Sequence, residues 1–457
     1  MGTTVSSMET KNNTSERGDI RPMLLGTYVG LDGVARSKTV PSTREDTFVR
    51  SGMGASPTWA VFCPDNQIAF TERLSVVGDW RLRLDGDMKR PLDDLVMWAP
   101  TNLTDQEGNA SPYCPRTFLS ELESKAAEQG FKTLFGCEFE FYLLDGEEGE
   151  SSDSSSVREA RWDAYGADSF LERERFFARV QDMCAEAGIP LEQLHCEYDR
   201  CQLEASTAPV SPVRAADHAV LTKLIIRRAA REFGMSASFS PKPFVDLSGN
   251  GGHIHFSMTC TSDGSPVFST GTGLYGLTED GKHAIAGIHE HLNELLAVYA
   301  GSPVSQLRLS PDSWSGASAC WGLENREAAI RFCAATKGNP LGANVELKCG
   351  DLSANPYYAI GCILGSALDG IAKRIPLAKE TTVNPALLTE DERRERNVRR
   401  LPSTYDEVTE AFSRSMFARE LLGEEVVDAE LVIRRLMSST YADTSPEELA
   451  RKMRFTW

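Results

Sequence analysis

The chain has 457 residues and a formal charge of −18, with 41 % hydrophobic and 25 % charged residues. That is enough chain for a large core and more than one domain, and its acidity leaves no basic excess to displace counterions from nucleic acid or to bind an anionic membrane surface. Its 11 cysteines are scattered singly from Cys63 to Cys362 with no CxxC pair, so neither a disulfide framework nor a thiolate zinc site is indicated.

The first segment, residues 1–19, is polar, lacks the apolar run of a secretory signal and reads as a disordered tail; the myristoylation pattern at Gly2 is too degenerate to change that. No apolar stretch reaches the roughly 18 residues of a membrane span, and a cytoplasmic protein is expected. Residues 20–111 carry β-type runs broken by glycine, LLGTYVGLDGVARSKTV with its Asp-Gly turn signal and then TWAVFC, and read as a small β-rich domain. A polar link, APTNLTDQEGNASPYCPR, leads to a second domain at 112–457. There TFLSELESKAAEQGF, RERFFARVQDMCAEAGI and AADHAVLTKLIIRRAAREFG have helical spacing, the last closed by Gly234. FGCEFEFYLL, CQLEAST, SASFSPKPF and GHIHFSM read as strands, and DGEEGESSDSSSVRE as a solvent loop, so the larger domain is α+β.

The strands carry the chemistry. In FGCEFEFYLL, Glu138 and Glu140 project from one face while Phe139 and Phe141 line the other. Burying two adjacent carboxylates costs several kcal/mol, roughly, unless a cation sits between them. In HCEYDRCQLEAS, Glu197 and Glu204 are seven apart, which suits two ends of a strand or turn facing one centre. In GNGGHIHFSM, His253 and His255 share a face behind glycines that let backbone approach a ligand, and NVELKCGD sets Glu346 among apolar residues. Five acids and one histidine with no thiolate suit Mg²⁺ or Mn²⁺, with ligands enough for two ions, which is what phosphoryl transfer from ATP requires. Arg308, Arg326 and Arg331 in RLSPDSWSGASACWGLENREAAIRFC add an anion-binding wall.

In their order, CEFEF, HCEYDRCQLE, FSPKPF…GNGGHIHFSM, RLSPDSW…WGLENREAAIR and VELKCGDLSANPYY resemble the glutamine synthetase family from about Pro22 to the C-terminus. The resemblance implies an N-terminal β-grasp domain followed by an α+β catalytic domain, with sites shared between neighbouring subunits of a homo-oligomeric ring, a dodecamer, and ATP with two or three Mg²⁺ or Mn²⁺ as cofactors. It also implies roles. Glu140, Glu197 and Glu204 match the ligands of the substrate-side metal, and Glu138, His253 and Glu346 those of the metal on the ATP phosphates. Arg308 and Gly249 match contacts to glutamate, with Tyr165 and Trp314 as further substrate contacts. Arg326 and Arg331 match arginines facing the transferred phosphoryl group, with Arg331 also on the nucleotide side, Lys348 falls on a further family arginine, and Glu192, His255 and Ser257 match nucleotide contacts.

The departures from the family bear on the amine. Where ammonia-using members read roughly RLVPGYE, this chain has RLSPDSW, ending in Trp314, and the family's DGSS falls on GMGASPTW, so the aspartate expected near Ala55 is missing. Both acids that bind and deprotonate ammonium are gone. No tyrosine stands in TTVNPALLTEDERR, so adenylylation is not indicated. The resemblance therefore implies a γ-glutamyl amide ligase like the family's γ-glutamylpolyamine, γ-glutamylethanolamide and γ-glutamylanilide synthetases. Its partners would be glutamate and a small organic amine, and packing on the indole favours apolar monoamines modestly over polyamines. Two readings stand beside it: glutamine synthesis with substituted ammonium ligands, and an inactive member with a structural or regulatory role.

Overall fold

The structure, a computed structural model, describes residues 22–146 and 162–457; the tail with its Gly2 pattern and most of the DGEEGESSDSSSVRE segment lie outside the described residues. Six N-terminal strands, β1 (Met23–Val29), β2 (Ala35–Pro41), β3 (Met53–Ala55), β4 (Trp80–Leu84), β5 (Arg90–Asp93) and β6 (Val96–Thr104), form one sheet in the order β2-β1-β6-β4-β3, with β5 beside β6. β1 and β2 are antiparallel around the Asp32-Gly33 turn, where Gly33 takes a φ of +72°. A Cβ there would lie 1.8 Å from the Ser353 carbonyl oxygen, so the turn can seat on the larger unit only as glycine. Asn355 Nδ2 reinforces the seat by donating to the carbonyls of Val29 and Gly30, 3.0 Å each.

The second sheet has nine strands: β7 (Phe131–Asp145), β8 (Leu191–Cys196), β9 (Gln202–Thr207), β10 (Met235–Ser238), β11 (Ile254–Cys260), β12 (Ser318–Leu323), β13 (Ala328–Cys333), β14 (Asn344–Leu347) and β15 (Arg399–Arg400). Their order is β15-β12-β13-β14-β11-β7-β9-β8, with β10 paired to β7. The expected mixed architecture is therefore observed, and β7 is its axis. Cys137, Phe139 and Phe141 on one face of β7 are buried in the main core, where the helix Pro212–Glu232 packs against the strand. Burying each phenylalanine contributes roughly 1.5–3 kcal/mol, which fixes the strand's register and forces Glu138 and Glu140 to the other face.

Two strand expectations need correction. TWAVFC is not a strand: Pro57–Val61 is a 3₁₀ turn, because Pro57 occupies its first position and the Ser56 hydroxyl accepts the Thr58 N–H at 3.3 Å. SASFSPKPF is a strand only as far as Ser238, since the prolines at 241 and 243 cannot donate to a ladder. The helices expected within 117–131, 173–189 and 215–234 are present as Pro115–Glu128, Glu174–Glu186 and Pro212–Glu232.

Candidate active site

Sheet register assembles the site. Across β7, β9 and β8, Glu140 pairs with Glu204 and Glu204 with His195; across β11, β14 and β13, His255 pairs with Glu346 and Glu346 with Arg331. Glu138 lies where the two rows meet, with His253 Nδ1 2.9 Å from one carboxylate oxygen and His255 Nε2 3.1 Å from the other. Glu197 opens the turn between β8 and β9, so the seven-residue spacing to Glu204 is that of a hairpin whose two sides face one centre. His195 bridges them, its Nε2 3.1 Å from Glu197 and 3.7 Å from Glu204.

The glycine run threads this centre. Gly251 N–H donates to Glu140 at 2.7 Å, and a Cβ on Gly251 would stand 2.4 Å from His253 Nε2 and 2.9 Å from Arg308 Nη2 and Glu140 Oε1. A Cβ on Gly249 would meet Arg308 at 2.7 Å. Arg308 is buried and donates to the Lys348 carbonyl at 3.0 Å and toward His253 Nε2 at 3.3 Å. Lys348 is buried too, with its ammonium 3.1 Å from Glu346. Arg331 reaches Glu346 at 3.0 Å and also pairs with Glu324, leaving its buried Nε without a hydrogen-bond partner. Arg326 is exposed in the turn between β12 and β13.

Charge at this centre is unbalanced without a cation. Burial and repulsion from Glu138, Glu140, Glu197 and Glu346 push the Glu204 carboxyl up to about 10. Glu138 goes the other way: burial would raise it, but hydrogen bonds from His253 and His255 outweigh burial and hold it far down. Burial likewise opposes ionisation of Glu346, yet Lys348 and the two histidines bring it to about 2. His255, which burial would lower, is held up at about 9 chiefly by Glu138. Three sets of ligand atoms lie within 4.8 Å of one another: Glu138, Glu204 and His253; Glu138, His255 and Glu346; His195, Glu197 and Glu204. Oxygen and imidazole donors fit hard divalent cations, and a cation would take the place of the proton that burial and repulsion favour on Glu204. The sets cut across the expected trios, drawing in His195 and His255, while Glu140 accepts from the Gly251 N–H and from Gln202 Nε2 and lies 3.7 Å from His253 Nε2.

Glu192, His255 and Ser257 come together. All three line a cavity of about 250 Å³ that also touches Glu138. Ser206 lines it as well, its buried hydroxyl without a hydrogen-bond partner. On the other side of Glu197 the walls are aromatic and open to solvent. Tyr165 donates to Glu197 at 2.8 Å, the Tyr198 N–H does so at 3.0 Å, and the Tyr198 ring meets the Trp314 indole edge-on at 6.1 Å. Tyr165, Tyr198 and Trp314 are 58, 58 and 56 % exposed.

Sequence reasoning missed His195, Tyr198, Ser206 and Glu327, whose carboxylate accepts the Trp314 N–H at 2.7 Å. His195 and Ser206 stand two residues from Glu197 and Glu204, a spacing that gains meaning only once the pairing of β8 with β9 is known. Tyr198 and Glu327 sit in turns, where no period applies.

Residues 112–450 match the family described as glutamine synthetase, catalytic domain. The γ-glutamylpolyamine synthetase of Streptomyces coelicolor is 37 % identical over 418 residues, covering 89 % of this chain and 87 % of that one. The glutamine synthetase of Pyrococcus furiosus is 32 % identical over 401 residues, covering 87 % and 86 %. A crystal structure of a novel glutamine synthase homolog superposes with a TM-score of 0.84 at 27 % identity, covering 96 % of this chain and 99 % of that chain.

Proposed function

Because the chain belongs to the glutamine synthetase family and is an ATP-dependent carboxylate–amine ligase, we propose that it joins the γ-carboxyl of glutamate to an organic amine through γ-glutamyl phosphate. A γ-carboxylate oxygen attacks the terminal phosphorus of ATP and ADP leaves; the amine nitrogen then attacks the acyl carbon, phosphate leaves, and one proton departs from nitrogen. Arg308 and Gly249 hold the amino-acid end of glutamate, and Tyr165 borders it. Arg326, Arg331 and Lys348 face the phosphoryl group, where a planar guanidinium matches the equatorial oxygens. Glu192, His255, Ser257 and Arg331 contact the nucleotide; for the first three, the cavity they line beside Glu138 supports this.

Glu140, Glu197 and Glu204 would hold one divalent cation and Glu138, His253 and Glu346 another, with His195 close to the first. Such ions neutralise phosphate oxygens as charge spreads over them. The chain's own groups orient both reactants and exclude water, since buried Arg308 and Lys348 close the floor while the aromatic wall shields the acyl phosphate.

One observation carries the choice of amine: Trp314 stands at the position where the resemblance expects an ammonium-binding glutamate, and its ring pairs with Tyr198 beside Glu197. An indole cannot take a proton from ammonium, whereas it offers an organic amine roughly 1–3 kcal/mol of contact. The relative named γ-glutamylpolyamine synthetase supports this reading; the relatives named glutamine synthetase favour the alternative, ammonia as nitrogen donor. ATP-dependent phosphate release with glutamate and a panel of amines, ammonium included, tests it: organic amines should drive release and ammonium should do so poorly. We also propose a homo-oligomeric ring of dodecamer size, which light scattering would report; an active monomer would refute it.

A further inference from the structure

We propose that the cleft around Lys223, separate from the substrate and nucleotide contacts, is an effector site for a small monocarboxylate with a short apolar body.

The cleft has a volume of about 100 Å³ and lies between the turn joining β1 to β2, the helix Pro212–Glu232, and the segments of β7 and the glycine run that carry Glu138 and His253. None of the residues proposed above for glutamate, the phosphoryl group or the nucleotide lines it. Its wall is chiefly apolar, with Val34, Val220, Leu224, Ile254, Leu352 and Trp457 among the lining side chains, and exposed Ala35 opens it to solvent. An enclosed apolar cavity of about 150 Å³ takes up benzene, so this one has room for about four to six heavy atoms.

The polar feature of the wall is Lys223. Its partly buried ammonium donates to the Leu352 carbonyl at 2.8 Å and stands 5.7 Å from the Phe239 ring, and it forms no ion pair among the described residues. An ammonium has three protons to donate, and only one is used here. The other charged groups on the wall are engaged. Arg227, one helical turn on, donates to the carbonyls of Phe455 and Trp457; Glu138 is held by His253 and His255; Asp351 Oδ1 accepts the Ser353 N–H at 3.0 Å. Burial and the neighbouring Arg227 guanidinium bring the Lys223 ammonium down to about 7, against the pull of Asp351. A carboxylate would offset both effects and accept the spare protons, while an apolar body of two or three carbons would fill the rest of the cleft.

Leu352 links the cleft to the centre. The Gly252 N–H donates to the Gly350 carbonyl at 3.0 Å, and a Cβ on Gly252 would meet Leu352 N at 2.9 Å and Leu352 Cδ2 at 3.0 Å. The segment that Lys223 grips is thus packed directly against the residue before His253. A ligand that competes for Lys223 loosens that grip and should slow turnover without occupying the glutamate site.

The probe is propanoate, with five heavy atoms, and the test uses the intact chain with saturating glutamate and Mg²⁺. Ligand-observed NMR should show propanoate bound with a Kd of about 1 mM or tighter, and its neutral isostere propanamide and the bodiless formate each about tenfold weaker. Lys223→Met keeps the stem without the charge, and Ala219→Leu narrows the cleft from the same helix; each should weaken propanoate about tenfold or more. In phosphate release with glutamate and the best amine of the panel, propanoate should lower the wild-type kcat about twofold or more at saturating glutamate and leave that of Lys223→Met unchanged. Propanamide bound as tightly as propanoate, or undiminished binding by Lys223→Met, would overturn the proposal. So would displacement of propanoate by glutamate, which would place it in the substrate site, formate bound equally well, which would make it an adventitious ion only, or binding with no change in kcat.

Discussion

The carboxylate centre and the aromatic mouth meet at Glu197 and are built in opposite ways. The centre is anchored in the second sheet; Glu204 and Glu346 stand on β9 and β14, His253 and Lys348 adjoin β11 and β14, Arg308 ends a short helix and donates to the Lys348 carbonyl, and all five are buried. The mouth hangs from turns, and Tyr165, Tyr198 and Trp314 are exposed, with Tyr165 and Trp314 in left-handed backbone. A buried, cross-braced centre suits chemistry that does not vary, the activation of a carboxylate by ATP. A turn-borne mouth can change residue by residue without disturbing the sheet, and that is where a family keeps one reaction and alters the amine.

If that division is right, damage to the centre should stop the reaction and damage to the mouth should redirect it. The largest effect belongs to Glu204→Ala, which should lower turnover about a thousandfold or more with the chain still folded by circular dichroism, because the carboxylate joins two of the three ligand sets. Ordinary turnover with Mg²⁺ or Mn²⁺ in that variant would break the comparison. Trp314→Glu should preserve ATP-dependent chemistry and move selectivity toward ammonium by roughly ten- to a hundredfold, read as the change in relative kcat/KM. Tyr198→Ala removes the indole's edge partner and should raise the KM for the amine about three- to tenfold with little change in that for ATP; an equal rise for ATP would place Tyr198 in the centre instead.

The smallest effect is on stability. The Glu204 carboxyl, raised to about 10 in the metal-free fold against about 4.3 unfolded, lets the folded chain retain a proton that the unfolded chain has released. Its contribution is therefore complete below about pH 4.3 and is lost as pH rises toward 10. Glu204→Gln should flatten this dependence, raising the melting temperature of metal-free protein at pH 8 by roughly 2 °C. Melting curves of the two proteins at pH 6 and pH 8 check it, and parallel curves would remove Glu204 from the charge imbalance.

How legible the molecule was follows the same division. The period-two pattern of FGCEFEFYLL told which residues face the core and which face the site, because an apolar run on one side leaves the carboxylates a single direction. The Glu197–Glu204 spacing was legible as two ends facing one centre, and the hairpin supplies the geometry. His195 was within reach of the same logic, being in register with Glu204, but a histidine before an acid carries little signal until the partner strand is known. TWAVFC was misread because its apolar residues match a strand, while Ser56 and Pro57 at its start set a helical turn. Glu327 was out of reach: nothing in ENREAAIR distinguishes a carboxylate that grips a backbone amide thirteen residues earlier from one that points to solvent.

The claim that Trp314 and its neighbours select an organic amine over ammonium is tested most directly by competition. With glutamate, ATP and Mg²⁺, equal concentrations of ammonium and 1,4-diaminobutane are supplied to the wild-type enzyme and the two amides are quantified by mass spectrometry, their ratio being the ratio of kcat/KM values. The γ-glutamyl amide of the diamine should exceed glutamine by about tenfold or more. Glutamine formed in equal or greater amount would contradict the account.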